Sequence, residues 1–147
     1  MLPDKKNDLL YLLNILESIE KIRIYTANTQ DAEVFYQLND QLNFNASLNL
    51  LANIGESVSK ISSNLKEEYP KTAWIQIKNF RNRIVHDYMG IDLFITFDII
   101  TKVLIKLDKQ LKKIIKTKIT EKIFDIEEFK LAADSAYYKH IKFIELL

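Results

Sequence analysis

The sequence predicts an all-α protein, and three observations carry that prediction. Only two glycines and two prolines occur in 147 residues, too few for the turns of a β fold and few enough to leave long helices uninterrupted. Leucine, isoleucine and lysine are plentiful. Apolar residues return at three- and four-residue steps over long stretches, which is the period of an amphipathic helix. A hydrophobic share of 48% beside 28% charged residues marks a chain that folds, and its length suits one domain with a real core.

The first helix is expected from Asn7 to about Tyr25, with Leu9, Leu12, Leu13, Leu16, Ile19 and Ile22 inward and Glu17–Lys21 as an i,i+4 pair. Ala27–Asp31 reads as a loop, Asp31 capping a short connector helix through Phe35 and Tyr36. A second long helix should run from about Asp40 to Leu65, burying Phe44, Leu48, Leu51, Val58, Ile61 and Leu65, with Leu50 and Ile54 broadening its face. Gly55 lies inside it at a cost of roughly 1 kcal/mol, which fits a backbone closely approached by a neighbour. Pro70 breaks the pattern and Thr72 offers an N-cap to a third helix carrying Ile77, Phe80, Ile84 and Tyr88, with Gly90 as its C-cap. A fourth should start near Asp92 and reach about Lys116 on Leu93, Phe97, Ile100, Leu104, Leu107, Leu111 and Ile114. On its outer side Lys102, Lys106, Lys109, Lys113 and Lys116 form one stripe, which either follows a phosphate backbone or is a solvated face. Beyond Thr120 the apolar residues are too many for a free tail. That segment should dock, whether it covers the bundle, extends a dimer interface or binds a partner.

With no cysteine, disulfides, thiol catalysis and thiolate metal sites are excluded, and a cytoplasmic setting is expected. Residues 1–6 lack the apolar core of an export signal, and no apolar run approaches the ~18 residues of a membrane span. Two histidines with scattered acids do not make a transition-metal site, so no metal and no cofactor is expected. A net charge of +1 argues against a uniformly basic nucleic-acid coat and shifts attention to local charge.

Reaction chemistry concentrates in Phe80-Arg81-Asn82-Arg83-Ile84-Val85-His86-Asp87-Tyr88. On a helix Asn82 and Arg83 share the face of His86, whereas Arg81 lies roughly 140° around and about 7.5 Å along the axis. A second copy of the chain could bridge that offset. Arginines beside an imidazole suit an anionic phosphate substrate. Glu56 and Asp87 are either carboxylates that orient His86 or an arginine, or solvated acids, and His140 reads as a surface residue.

The pattern of Arg81, four residues, His86, one residue, Tyr88 resembles the motif of the HEPN superfamily, in particular its HepT branch of ribonuclease toxins. Ile15–Ile22 with Tyr25-Thr26, Asn53-Ile54-Gly55-Glu56, Trp74 and Gly90-Ile91-Asp92 extend the likeness over roughly Leu9 to Leu111. The resemblance implies a HEPN-type four-helix up-and-down bundle over residues 1–118, with a C-terminal helical extension over 119–147, assembled as a homodimer with a composite cleft. It implies metal-independent RNA cleavage with Arg81 and His86 catalytic and Asn82 supporting. Arg83, with the lysine stripe, would contact RNA. It further implies a minimal nucleotidyltransferase antitoxin, resembling MntA, as the partner that AMPylates Tyr88, which could otherwise be only a core edge. The other reading is a catalytically silent HEPN subunit that serves as a binding module for the nucleotidyltransferase.

Overall fold

The computed structural model describes residues 5–147, with side chains from Asp8 onward, so the expectation about residues 1–6 falls on side chains outside the described residues. Its regular elements are all helical: α1 (Lys5–Thr26), α2 (Ala32–Gln37), α3 (Leu42–Lys60), α4 (Ser63–Glu68), α5 (Trp74–His86), α6 (Leu93–Asp98), α7 (Leu104–Thr120) and α8 (Ile126–Ala133). A π turn at Ile99–Val103 joins α6 and α7 into one rod. α3 lies between α1 and α5, and α7 returns against α1, which gives a four-helix bundle. The pairing of α1 and α3 is antiparallel: Asn43 Nδ2 donates to Tyr25 O (2.9 Å) at one end, and at the other Ser62 N donates to Asp8 Oδ1 (2.8 Å).

The apolar stripes explain the packing. Leu9, Leu12, Leu13, Leu16, Ile19 and Ile22 are buried, as their spacing predicts. Ile15 is buried as well, three residues after Leu12 and four before Ile19 and so beside the same stripe. Phe44, Leu48, Leu51, Ile54 and Val58 of α3 meet Ile77, Phe80 and Ile84 of α5 and Leu104, Leu107 and Leu111 of α7 in one core.

Several boundaries differ from the periodicity. The expected single helix from Asp40 to Leu65 starts at Leu42, after Asn39, Asp40 and Gln41 with φ of 50°, 57° and 69°, a region that Asn and Asp tolerate best. It also breaks at Ile61, where Ser62 caps α4 by accepting from Leu65 N (3.2 Å) and gives its own hydroxyl to buried Asp8 (2.6 Å). Thr72 is not the N-cap of α5: it is buried, and its carbonyl takes Trp74 N (2.8 Å). α5 stops at His86, so Tyr88 stands on the 3-10 turn Tyr88–Gly90 and Gly90 is not a helix C-cap. The Gly90 backbone instead leaves room for Asp87, whose Oδ2 would lie 2.3 Å from an added Cβ. Asp92 caps α6 as expected, accepting from Phe94 N (2.7 Å) and Ile95 N (3.1 Å).

The C-terminal segment packs on the bundle. Phe124, Phe129, Tyr138, Ile141 and Leu146 join the core. Tyr138 donates its phenol to Asn14 Oδ1 (2.9 Å), and Glu145 pairs with Lys112 of α7 (2.8 Å). His140 is not the free surface residue expected: its backbone N–H donates to Glu17 Oε1 (2.8 Å) and its ring Nδ1 meets Glu17 Oε2. Glu17 is only 3% exposed, and a buried carboxylate needs such partners. Among the described residues no helix is long and apolar enough to cross a membrane.

Candidate active site

α5 positions the motif by burying one side. Trp74, Ile77, Phe80 and Ile84 face the core, which leaves Arg83, His86 and Asp87 exposed and Arg81 and Asn82 half-buried on the flank toward α3. That flank is tight. A Cβ on Gly55 of α3 would lie 2.2 Å from Arg81 Cβ and 2.7 Å from its Cγ, so glycine is the residue that lets the two helices approach here.

The close approach brings Glu56 within reach of Arg81. Arg81 Nη2 donates to Glu56 Oε2 (2.8 Å) while Nη1 donates to Asn82 Oδ1 (3.1 Å). Glu56 Oε1 lies 3.8 Å from Lys60. Arg81, Asn82 and Glu56 thus form one cluster with a fixed guanidinium, while His86 stands apart at the open end of the helix. Arg83, exposed, does not join that cluster. Arg81 is held on the α3 side of α5, and His86 is exposed at the helix end.

Tyr88 is 47% exposed, and its hydroxyl donates to Asn45 Oδ1 (2.9 Å) in the first turn of α3. Asn45 carried no signal in the sequence. Glu56 carried some, since it directly follows the glycine that marks the close approach, but only the fold selects Arg81 as its partner. Lys106, Lys109, Lys113 and Lys116 are exposed along α7, and Lys102, in the π turn, pairs with Asp98 at 3.3 Å. Other lysines of α7 are engaged elsewhere: Lys112 bridges Asp108 and Glu145, and nearly buried Lys118 binds Glu68 and Glu121. Burial pulls the Lys118 pKa down, but the bonds to those two glutamates outweigh it and leave it raised. Among the described residues no three His, Cys, Asp or Glu side chains are grouped to hold a metal ion.

An all-α bundle whose α5 carries Arg81 on the α3 side and His86 at its exposed end, with Tyr88 on the turn just beyond, has the arrangement of a HEPN-type protein. The chain belongs to the family described as Ribonuclease HepT-like, whose family model matches residues 15–114. It is 29% identical over 110 residues to a Methanocaldococcus jannaschii protein named as a gamma-glutamylcyclotransferase and putative RNase. That alignment covers 75% of this chain but 48% of the relative, so the chain spans about half of that protein's length. A second protein of the same organism, named as a putative RNase, is 28% identical over 106 residues, 72% of this chain and 85% of the relative. A Thermococcus cleftensis protein named as a probable ribonuclease HepT is 29% identical over 85 residues, 56% and 73% of the two chains. No solved structure matches the chain.

Proposed function

We propose that the chain is a metal-independent ribonuclease whose active cleft is completed by a second copy of itself, and that it is the toxin of a toxin–antitoxin pair. The observation that carries this reading is the split within one chain: Arg81 is anchored by Glu56 and Asn82 on the α3 side, while His86 is exposed at the helix end. In a symmetric dimer, Arg81 of one protomer works beside His86 of its partner.

In this reading the ribose 2′-OH attacks the adjacent phosphodiester. One His86 removes the 2′ proton, the P–O5′ bond breaks, and the leaving 5′ oxygen takes a proton from water or, faster, from the second His86, which leaves a 2′,3′-cyclic phosphate and lets a site with a single His86 keep part of the activity. Arg81 stabilises charge developing on the phosphoryl oxygens, and its bond to Glu56 fixes its direction beforehand. Asn82 holds the guanidinium, and Arg83 with the α7 lysines contacts the backbone. Tyr88, exposed and two residues beyond His86, is the acceptor for AMP from a partner nucleotidyltransferase; the added negative charge would repel RNA from the cleft.

The test is cleavage of RNA in EDTA with product ends read by mass spectrometry. Cyclic phosphate ends, lost in His86→Ala, are expected. Mixing Arg81→Ala with His86→Ala protomers under subunit exchange should restore part of the activity. Wild-type protein that never cuts RNA but still binds the nucleotidyltransferase would assign it instead as a silent binding module. AMP on a tyrosine other than Tyr88 would overturn that part of the reading.

A further inference from the structure

The 3-10 turn Tyr88–Gly90 stands beyond the end of α5, and its backbone bonds are local: Gly90 N donates to Asp87 O (3.0 Å) and Ile91 N to Tyr88 O (3.4 Å). Met89 is 96% exposed. The Tyr88 side chain reaches further, since its hydroxyl donates to Asn45 Oδ1 (2.9 Å), 43 positions away on α3.

Asn45 is carried on a turn that is itself tied down. Its backbone N–H donates to Gln41 O (2.9 Å). Two residues earlier, Asn43 takes the Asn39 amide on its Oδ1 (2.9 Å), while its Nδ2 donates to Tyr25 O on α1 (2.9 Å). A chain of amides thus fixes the first turn of α3 to the end of α1. Phe44 and Leu48 are the buried residues there, whereas Asn45 is exposed. Its side chain is not needed to fill the core, and it is engaged with the phenol.

The chemistry of a phenol nucleophile gives such an acceptor a use. To attack phosphorus the oxygen must present a lone pair, with its proton turned away from the incoming group. With the O–H committed to Asn45 Oδ1, the oxygen keeps its lone pairs for attack, and Tyr88, 47% exposed, is open to one. A tethered side chain also samples fewer of the rotamers that exposure allows, so its oxygen is held nearer one place.

We propose that Asn45 is a positioning residue for AMP transfer to Tyr88: it holds the hydroxyl proton aside and fixes the phenol oxygen for attack on the α-phosphorus of ATP. This rests on the reading of Tyr88 as the acceptor. In that step the phenol oxygen bonds to the α-phosphorus of magnesium-bound ATP on the partner nucleotidyltransferase. The bond from that phosphorus to the oxygen bridging to the β-phosphate breaks, pyrophosphate leaves, and the phenolic proton passes to water. Asn45 touches neither ATP nor the phosphorus. The reaction uses up its contact, because the esterified oxygen has no proton left to donate.

Asn45→Ala tests the role with the partner nucleotidyltransferase, magnesium and ATP labelled at the α-phosphorus, the modified tyrosine being mapped by mass spectrometry. The kcat of transfer should fall about fivefold, the size of one exposed hydrogen bond, at unchanged KM for ATP and for the chain. Asn45→Asp keeps the acceptor oxygen and should restore kcat, while its charge raises KM for ATP. A rate unchanged or raised in Asn45→Ala, a loss confined to KM, or no rescue by Asn45→Asp would overturn the role. A second measurement needs no transferase. Carbon-13 relaxation in ring-labelled protein should show the Tyr88 ring ordered in the wild type and looser in Asn45→Ala, and equal order in the two would refute the hold. Wild-type protein that takes no AMP on Tyr88 defeats the acceptor reading and this role with it, whereas transfer that ignores Asn45 defeats the role alone.

Discussion

Replacing Gly55 with alanine tests whether the seam between α3 and α5 sets the position of Arg81. The new methyl would stand 2.2 Å from Arg81 Cβ, 2.7 Å from its Cγ and 3.3 Å from Ile77 O. Carbon atoms pack at about 3.5–4.0 Å, so the helices must part by roughly 1.5 Å. Arg81 Cβ is fixed to the backbone and cannot rotate out of the way. Alanine gains about 1 kcal/mol in helix propensity, against an overpacking cost of about 1–3 kcal/mol plus packing lost around Ile54, Ile77 and Phe80. A net loss of about 1–2 kcal/mol is expected, which lowers the melting temperature by about 3–8 °C in a chain of this size. The same displacement pulls Arg81 off the 2.8 Å bond to Glu56, so RNA turnover should fall further than stability does. Melting curves followed by circular dichroism, run beside cleavage assays on the folded protein, measure both. An alanine variant that melts at or above the wild-type temperature would show that the helices do not approach as described.

Three more outcomes follow from named contacts. Glu56→Gln should leave the melting temperature nearly unchanged, since the pair is partly exposed and worth at most about 1 kcal/mol; cleavage should drop several-fold, and an unaltered kcat would remove Glu56 from the positioning of Arg81. Glu17→Gln should cost about 1–3 kcal/mol because His140 loses its charged acceptor, and hydrogen exchange should speed up across residues 136–146; unchanged exchange there would mean that the contact does not hold the segment. The Tyr138 phenol is pushed up to about 12 by burial, with Tyr137 and Glu17 adding to the effect. Its folded pKa lies above the ordinary tyrosine value of 10.0, so its contribution to stability is complete below that pH and is lost as pH rises through about 12. Urea midpoints should therefore fall more steeply over that interval for wild type than for Tyr138→Phe, and parallel curves would contradict the assignment.

The bundle was legible because the core obeys a local rule: each long helix repeats its apolar residues at helical spacing, and most of those positions are buried, with Leu50, Leu93 and Phe97 half-buried and Tyr88 exposed. That Arg81 and His86 share a helix was legible for the same reason, whereas Tyr88, expected on it, stands on the 3-10 turn beyond its end. What could not be read were features made by distant segments. Asp8 capping the break after Ile61, Asn45 receiving Tyr88, and Glu56 meeting Arg81 as well as its i,i+4 neighbour Lys60 all depend on which helix faces which. His140 misled because in sequence it has no acidic neighbour, while its partner Glu17 lies 123 positions away and already has an i,i+4 lysine to explain it. The ends of α5 misled too. Thr72 and Gly90 are good capping types, but burial of one and the Asp87 side chain against the other put them to different uses.

The bond between Glu17 and His140 also orders events in time. A chain grows from its N-terminus at about 5–20 residues per second, so α1 is complete long before residue 140 exists. During that interval the bundle helices through Thr120 can collapse, yet Glu17 faces a seam that nothing has closed. Contacts of such long sequence separation form late because loop closure must come first. A chain interrupted after α7 would thus expose the side of α1 that carries Asn14 and Glu17, the surface on which Tyr138 and His140 settle. The segment beyond α7 gives the nascent bundle its final closure, and until it is made the N-terminal helix is held from only part of its circumference.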